Sequence, residues 1–239
     1  MRHEKLELLK TQVSNTNTIY QMVFDMNSIF GTKQFIDVEQ QLYEQLKNIT
    51  DEIDELVFDG IDKNNTTEIT DALGDILTFA YGGLYMLQVT SYNEEEVNII
   101  SGLSTKEMRD GALVLREYIE KEVIEYNTSE KEAITNKFID AAKFVLFWAK
   151  QCNMDIQKVM SAVTYSNYTK LMFDEKELKE TFSFYNSKGV KDLYFKLFKT
   201  TDGIDYYVIF SGSDQVDNNN KAYRANKFLK SVYFDEPVV

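Results

Sequence analysis

Between Asp51 and Asp75 the chain reads DEIDELVFDGIDKNNTTEITDALGD. Two acidic clusters flank a short polar break that contains Gly60, Asn64 and Asn65. Glu52 and Glu55 are three residues apart, and Asp71 and Asp75 are four apart, with Glu68 one turn before Asp71. On a helix, spacings of three and four bring side chains to one face. The stretch therefore predicts a helical hairpin in which two carboxylate pairs turn toward each other. Packing so many like charges together raises the free energy unless something neutralises them. A hard divalent cation does so through oxygen ligands, and Mg2+ favours a few carboxylates completed by waters and substrate phosphates. The competing reading is a pair of solvated acidic helix faces, the usual fate of Asp and Glu on a helix.

The rest of the composition narrows what such a hairpin can belong to. One proline, Pro237, and ten glycines in 239 residues leave few breakers, which favours long helices over a sandwich or barrel. A single cysteine, Cys152, excludes an internal disulfide and a cysteine-rich zinc site. A single His3 excludes histidine-based metal centres and argues against a Ser/His/Asp triad. Any catalysis falls to carboxylates and metal. The net charge of -13 argues against duplex nucleic acid or an anionic membrane as partner, since both reward positive charge. A small anionic substrate that enters with its metal is compatible. The opening MRHEKLELLK carries no apolar signal segment and no apolar run reaches membrane-spanning length, so the expected compartment is the cytoplasm.

Apolar spacing sets out the helices. Ile19, Met22, Val23, Met26, Ile29 and Phe30 predict one or two helices over 4–30, closed by Gly31. Asp37 reads as an N-cap. The stripe Leu42, Leu46, Ile49, Ile53, Leu56 and Val57 follows, with Glu52 and Glu55 beside it. Asn64–Thr67 restarts a helix along Ile69, Leu73, Ile76, Leu77 and Ala80, and Asp75 lies within that apolar run. After a polar connector over 93–105, helices are expected over about 106–126 and 129–151, and a short one after Asp155. Beyond Lys188–Gly189 the period changes: YFKLF, DYYVIF and KFLKSVYF alternate, and Asp202–Gly203 reads as a hairpin turn. The fold class is mainly α, a helical bundle over 1–175 with a small antiparallel β extension over 188–239.

The second helical pair echoes the first. LREYIEKEVIEY parallels LKNITDEIDELV, which places Glu122 and Glu125 where Glu52 and Glu55 fall; NKFIDAAKF parallels EITDALGDI, which sets Asp140 against Asp71. Lys143 and Phe144 stand where Gly74 and Asp75 stood. An internal duplication, with segments 41–92 and 106–151 as its repeats, makes a pseudo-dimeric bundle in one chain. In it, Glu122, Glu125 and Asp140 read as a degenerate half that shapes or covers the site.

With these stretches placed, the chain resembles the all-α nucleoside triphosphate pyrophosphohydrolases, the superfamily of MazG, phosphoribosyl-ATP pyrophosphohydrolase and the dimeric dUTPases. DEIDELV is similar to the first acidic pattern, EITDALGDILTFAYG to the second, and NMDIQKVMSAVTYSNYTKL to the closing helix; KFLKSVYFDEP is similar to the tail of many members. The second pattern departs from the family. Read strictly it is Glu68–Asp71; aligned on Leu-Gly-Asp it ends at Asp75, with Ala72 where Glu usually stands. The extra helical pair is a further departure.

The resemblance implies hydrolysis between the α- and β-phosphates of a (d)NTP, giving a monophosphate and pyrophosphate. It assigns metal binding to Glu52, Glu55, Asp71 and Asp75 with Mg2+ or Mn2+, and orientation of the attacking water to Asp51 or Glu68. It places Asn167 and Lys170 on phosphate or sugar. By residue chemistry alone those two also suit a helix C-terminus. Single-unit relatives associate, so either a homodimer or a self-sufficient chain is expected. The alternatives are a nucleotide-binding protein without turnover and a helical scaffold.

Overall fold

A computed structural model describes residues 2–14, 18–30, 38–89, 92–94, 103–125, 130–200 and 203–237. The protein is mainly helical, with a small C-terminal antiparallel sheet. The helices are α1 (Arg2–Ser14), α2 (Ile19–Phe30), α3 (Val38–Asp54), α4 (Thr66–Met86), α5 (Thr105–Glu125), α6 (Lys131–Gln151), α7 (Ile156–Thr169) and α8 (Glu175–Ser187). A π-helical segment, Glu55–Ile61, continues α3. Gly31, Asp37, Asp202 and most of the expected 93–105 connector lie outside the described residues. No helix among the described residues is long and apolar enough to cross a membrane.

Two compact units divide the chain. One comprises 1–15, 28–31 and 164–238; the other comprises 16–27 and 32–163, with Val239. The helical unit is built on α3, α4, α5 and α6. Helix α3 packs on α4 and α5, and α6 packs on the same two, so α3 and α6 are diagonal. This is the cyclic order that two hairpins laid side by side produce. The predicted stripe is the core: Leu46, Ile49, Ile53, Leu56 and Val57 have no accessible surface.

Helix α4 sits close to its neighbours because it carries glycines where they approach. A Cβ on Gly74 would lie 2.8 Å from Val163 Cγ2 of α7, and one on Gly83 would lie 2.4 Å from the Phe138 ring of α6. Either side chain would force those helices apart. The start of α4 is set by Asn65, whose Oδ1 accepts from the backbone N–H of Thr67 (3.2 Å) and Glu68 (3.4 Å). Asn64 just before it has φ +51°, a left-handed conformation that Asn tolerates.

The other unit holds α1, α8 and a three-stranded sheet in the order β1-β2-β5, with β1 Leu193–Lys199, β2 Asp205–Ser211 and β5 Phe228–Leu229. The expected strand KFLKSVYF is thus short, two residues long. The loop expected over DQVDNNNK opens with a strand, β3 (Gln215–Val216), that pairs with β4 (Ala222–Tyr223) just beyond it. Helix α8 has no counterpart among the helices that the apolar spacing predicts. Its local signal is present: Asp174 Oδ1 accepts from the Glu177 N–H at 2.9 Å, and Glu177 stands three residues on. The core here gathers Met172, Leu178, Tyr185, Val190, Ile209 and Leu229. Arg2 anchors α1 within this unit. Its guanidinium donates to Leu171 O (2.9 Å), Thr169 O (2.8 Å) and Glu177 Oε2 (2.8 Å).

Candidate functional site

The acidic residues converge where α3 passes into the π segment and α4 begins. Glu52 lies on the last turn of α3, half-buried, and its carboxyl is pushed up from the ordinary 4.5 to about 9. Burial is the main cause, followed by the charges of Asp75, Glu55, Asp71 and Asp51. Among the described residues, no cation or hydrogen-bond donor lowers it. Glu55 is raised as well, first by partial loss of water and then by Glu68, Asp59, Asp71 and Asp51. Each acidic residue predicted for the site acts on one of these two carboxyls. The two helices therefore do turn their acidic faces toward each other.

The local backbone differs from the expected continuous α-helix. From Glu55 the chain opens into π geometry and closes with the Asp62 N–H on Val57 O at 2.9 Å and the Asn65 N–H on Gly60 O at 2.8 Å, both spanning five residues. A wider turn advances each residue by less than 100° about the axis, so Glu55 begins a segment in which α-helical spacing no longer applies. Gly60 makes the turn possible. A Cβ there would lie 2.8 Å from Ile69 Cγ1 and 3.2 Å from the Ile69 backbone nitrogen. Nothing in periodicity points to this segment, because its residues read as an ordinary apolar stripe.

The acidic residues on the outer side of the hairpin are neutralised within the chain. Arg116 of α5 donates to Asp54 Oδ1 at 2.6 Å and to Glu120 Oε2 at 2.6 Å, and Arg109 grips Asp62 through two bonds of 2.7 and 2.9 Å. These arginines reach the helix flank and leave Glu52 and Glu55 among carboxylates. The donor set is all oxygen, which suits Mg2+ in charge and hardness. Among the described residues, no group of three or more His, Cys, Asp or Glu side chains is arranged to hold a metal ion. The carboxylates of the cluster are electrostatically coupled. Mg2+ asks for only one or two carboxylates when waters and phosphates complete its shell.

Asn167 and Lys170 belong to the other unit, and the acidic cluster belongs wholly to the helical one. There the Lys170 ammonium donates to Asn167 Oδ1 and lies 5.7 Å from the centre of the Phe234 ring. In the second hairpin, Glu122 and Lys137 form an ion pair at 3.7 Å in which both are buried, at 6% and 7% exposure. The Lys137 ammonium also lies over the Tyr118 ring, and Glu122 Oε1 accepts no hydrogen bond. The sequence reading singled out Glu122 and passed over Lys137.

The comparisons with known proteins add little to this geometry. The chain is 26% identical over 237 residues to the uncharacterized protein L479 of Acanthamoeba polyphaga mimivirus, covering 88% of this chain and 86% of the relative. No protein-family model matches the chain, and no solved structure matches it.

Proposed function

We propose that this protein is a Mg2+-dependent nucleoside triphosphate pyrophosphohydrolase that cleaves the α-β phosphoanhydride to release a (d)NMP and pyrophosphate. One observation carries the reading: a half-buried Glu52 surrounded by Asp75, Glu55, Asp71 and Asp51, with its carboxyl held near pKa 9. Such a site is unfavourable when empty at neutral pH and gains free energy from any cation that enters. Glu52, Glu55, Asp71 and Asp75 would hold the ion. Bound Mg2+ supplies neutralisation of the phosphate oxygens and of the charge that develops on the leaving pyrophosphate. Glu68, beside Glu55, and Asp51, beside Glu52, are the carboxylates placed to orient water toward the α-phosphorus and accept its proton. The arrangement rests on the helical unit alone.

A second reading, nucleotide binding without turnover, is favoured by Ala72. It is buried at 3% exposure where the resembled pattern carries Glu. Incubation with Mg2+ and a panel of NTPs and dNTPs separates the two. Pyrophosphate release that disappears in Glu55→Ala supports hydrolysis. Nucleotide binding by calorimetry without product supports the second reading, and neither binding nor turnover by a folded sample rejects both.

A further inference from the structure

In the unit that holds α8, the sheet ends on one side at β1, whose strand neighbour is β2. Backbone bonds fix which way each residue of β1 points its N–H and C=O. At the two ends of the ladder, the Gly212 N–H donates to Asp192 O at 2.8 Å and the Thr200 N–H to Ile204 O at 2.9 Å. In an antiparallel pair such bonded positions alternate with unbonded ones. The even-numbered residues of β1 therefore bond to β2, and Leu193, Phe195 and Leu197 turn their backbone groups away from it. Tyr207, opposite Leu197, has the matching phase: it exchanges bonds of 3.2 and 2.7 Å with Met172 on its other side. Among the described residues, nothing bonds to the outward N–H and C=O groups of Leu193, Phe195 and Leu197.

The side chains along this edge are apolar and open to water. Phe195 is 50% exposed and Leu197 54%. Both lie on the face of the sheet against which α8 packs, where a groove of about 580 Å³ is lined by Leu178, Phe182, Phe195 and Tyr207. Such an edge is a template for another strand, and proteins usually blunt it with proline, a bulge or a charge. Here the register with β2 runs unbroken over seven residues, with no proline. The Lys196 ammonium turns to the opposite face, 5.7 Å from the centre of the Phe210 ring.

The sequence of the edge indicates what fits it. Around Phe195 it reads Leu-Tyr-Phe-Lys-Leu. Laid antiparallel on a second copy, Phe195 meets Phe195, Leu193 meets Leu197, and Tyr194 meets Lys196. The positions with outward groups then all fall in hydrogen-bonded pairs. Leucine faces leucine, and lysine faces an aromatic ring. Just outside this span Lys199 stands opposite Lys191, and its ammonium already pairs with Asp205 at 3.1 Å. Other registers fit less well. Centred on Lys196, the pairing sets lysine directly against lysine, which is unfavourable. Centred on Leu197, it sets Lys199 against Phe195 on the apolar face.

We infer that this edge joins two copies of the chain. Strand β1 pairs antiparallel with β1 of a second copy about a two-fold axis at Phe195, which merges the two three-stranded sheets into one. The groove beside Phe195 offers apolar surface to the Phe195 ring of the second copy. Only the sheet-bearing unit is involved, so the inference is independent of the proposed reaction.

Sedimentation velocity on the full chain tests it. At roughly 100 µM, where a small interface of this class assembles, the wild type is expected to be a dimer. Phe195→Pro removes an outward N–H and spares the ladder with β2, so it is expected to be monomeric with its circular dichroism retained. Phe195→Lys and Phe195→Glu each set like charges together at the axis, and each alone is expected to be monomeric. Mixed in equal amounts, these two are expected to restore the dimer, because lysine then meets glutamate. That rescue needs no proline and depends on Phe195 facing its own copy. A monomeric wild type would leave the edge to a strand of another protein and overturn the inference. A dimer unaffected by all three substitutions, or charge variants that stay monomeric when mixed, would overturn it as well.

Discussion

The two helical hairpins of the bundle solve the same electrostatic problem in opposite ways. Each sets carboxylates on its facing helices, with Glu122 buried in α5–α6 and Glu52 half-buried in the hairpin of α3 and α4. In α5–α6 the chain supplies its own cation, since Glu122 meets Lys137 with both nearly sealed from water. In the hairpin of α3 and α4, the charges beside Glu52 and Glu55 among the described residues are further carboxylates, and Arg116 and Arg109 pair with Asp54 and Asp62 instead. The echo between the hairpins sharpens the contrast: when Asp140 is aligned with Asp71, Lys137 stands at the position of Glu68. One register position thus carries a negative charge in one hairpin and a positive charge in the other. The hairpin with an internal cation is neutralised as folded; the other is the one to which the proposed function assigns a cation.

The largest expected effect falls on the uncompensated side. Glu52→Gln should lower pyrophosphate release by about 10^3-fold or more, measured at saturating Mg2+ and nucleotide. The same variant should melt higher than wild type in EDTA at neutral pH, because a neutral amide spares the chain the free energy of holding Glu52 protonated there. Loss of both activity and metal-free stability would contradict the contrast.

On the compensated side, Lys137→Met leaves Glu122 buried without its cation and should cost about 3–5 kcal/mol in urea unfolding. The double variant Lys137→Met, Glu122→Gln should recover most of that loss. A single variant as stable as wild type would show that the pair is not the internal counterion described above.

The pH dependence of the metal-free protein follows from Glu52. Folding raises its pKa, so the folded state holds a proton that the unfolded chain releases near 4.5. The stability tied to that proton is complete below about 4.5 and is lost as pH climbs toward about 9. In EDTA, unfolding free energy should therefore decline by about 3 kcal/mol by pH 7 relative to the acid side of the window. Glu55 acts in the same direction. Glu52→Gln should flatten most of the slope, and an unchanged slope would assign it to other groups.

The smallest effects belong to the outer flank. Asp54→Asn removes a partly exposed pair with Arg116 and should shift stability by less than about 1 kcal/mol, with turnover intact. A large loss of activity would extend the site beyond the carboxylates described.

Much of this arrangement was legible in the sequence, and the reasons are local. The long helices follow from apolar residues at helical spacing with few breakers, and α4 starts at the predicted Asn64–Thr67 break because Asn65 caps it. The facing of Glu52 and Asp75 was legible because spacing fixes a helix face. Three features were hidden. The π segment depends on Gly60 meeting Ile69, a contact between distant residues that no periodicity encodes. Lys137 reads as a surface lysine until the fold places it against Glu122. Helix α8 is short and stands just before the change to strand period, although Leu178, Phe182 and Tyr185 recur at helical spacing after the capping signal at Asp174. The placement of Asn167 and Lys170 with the sheet-bearing unit was equally invisible, because sequence neighbours on α7 divide between units.

The anchoring of Arg2 has a consequence for how the protein is made. Its partners, Thr169, Leu171 and Glu177, follow 167 to 175 residues later. During synthesis the helical unit emerges almost as one continuous stretch and can condense on the ribosome. Helix α1 must wait, its docking surface not yet translated, until Thr169 to Glu177 have emerged. A helix translated well before its partners thus docks only after the helical unit between them is made.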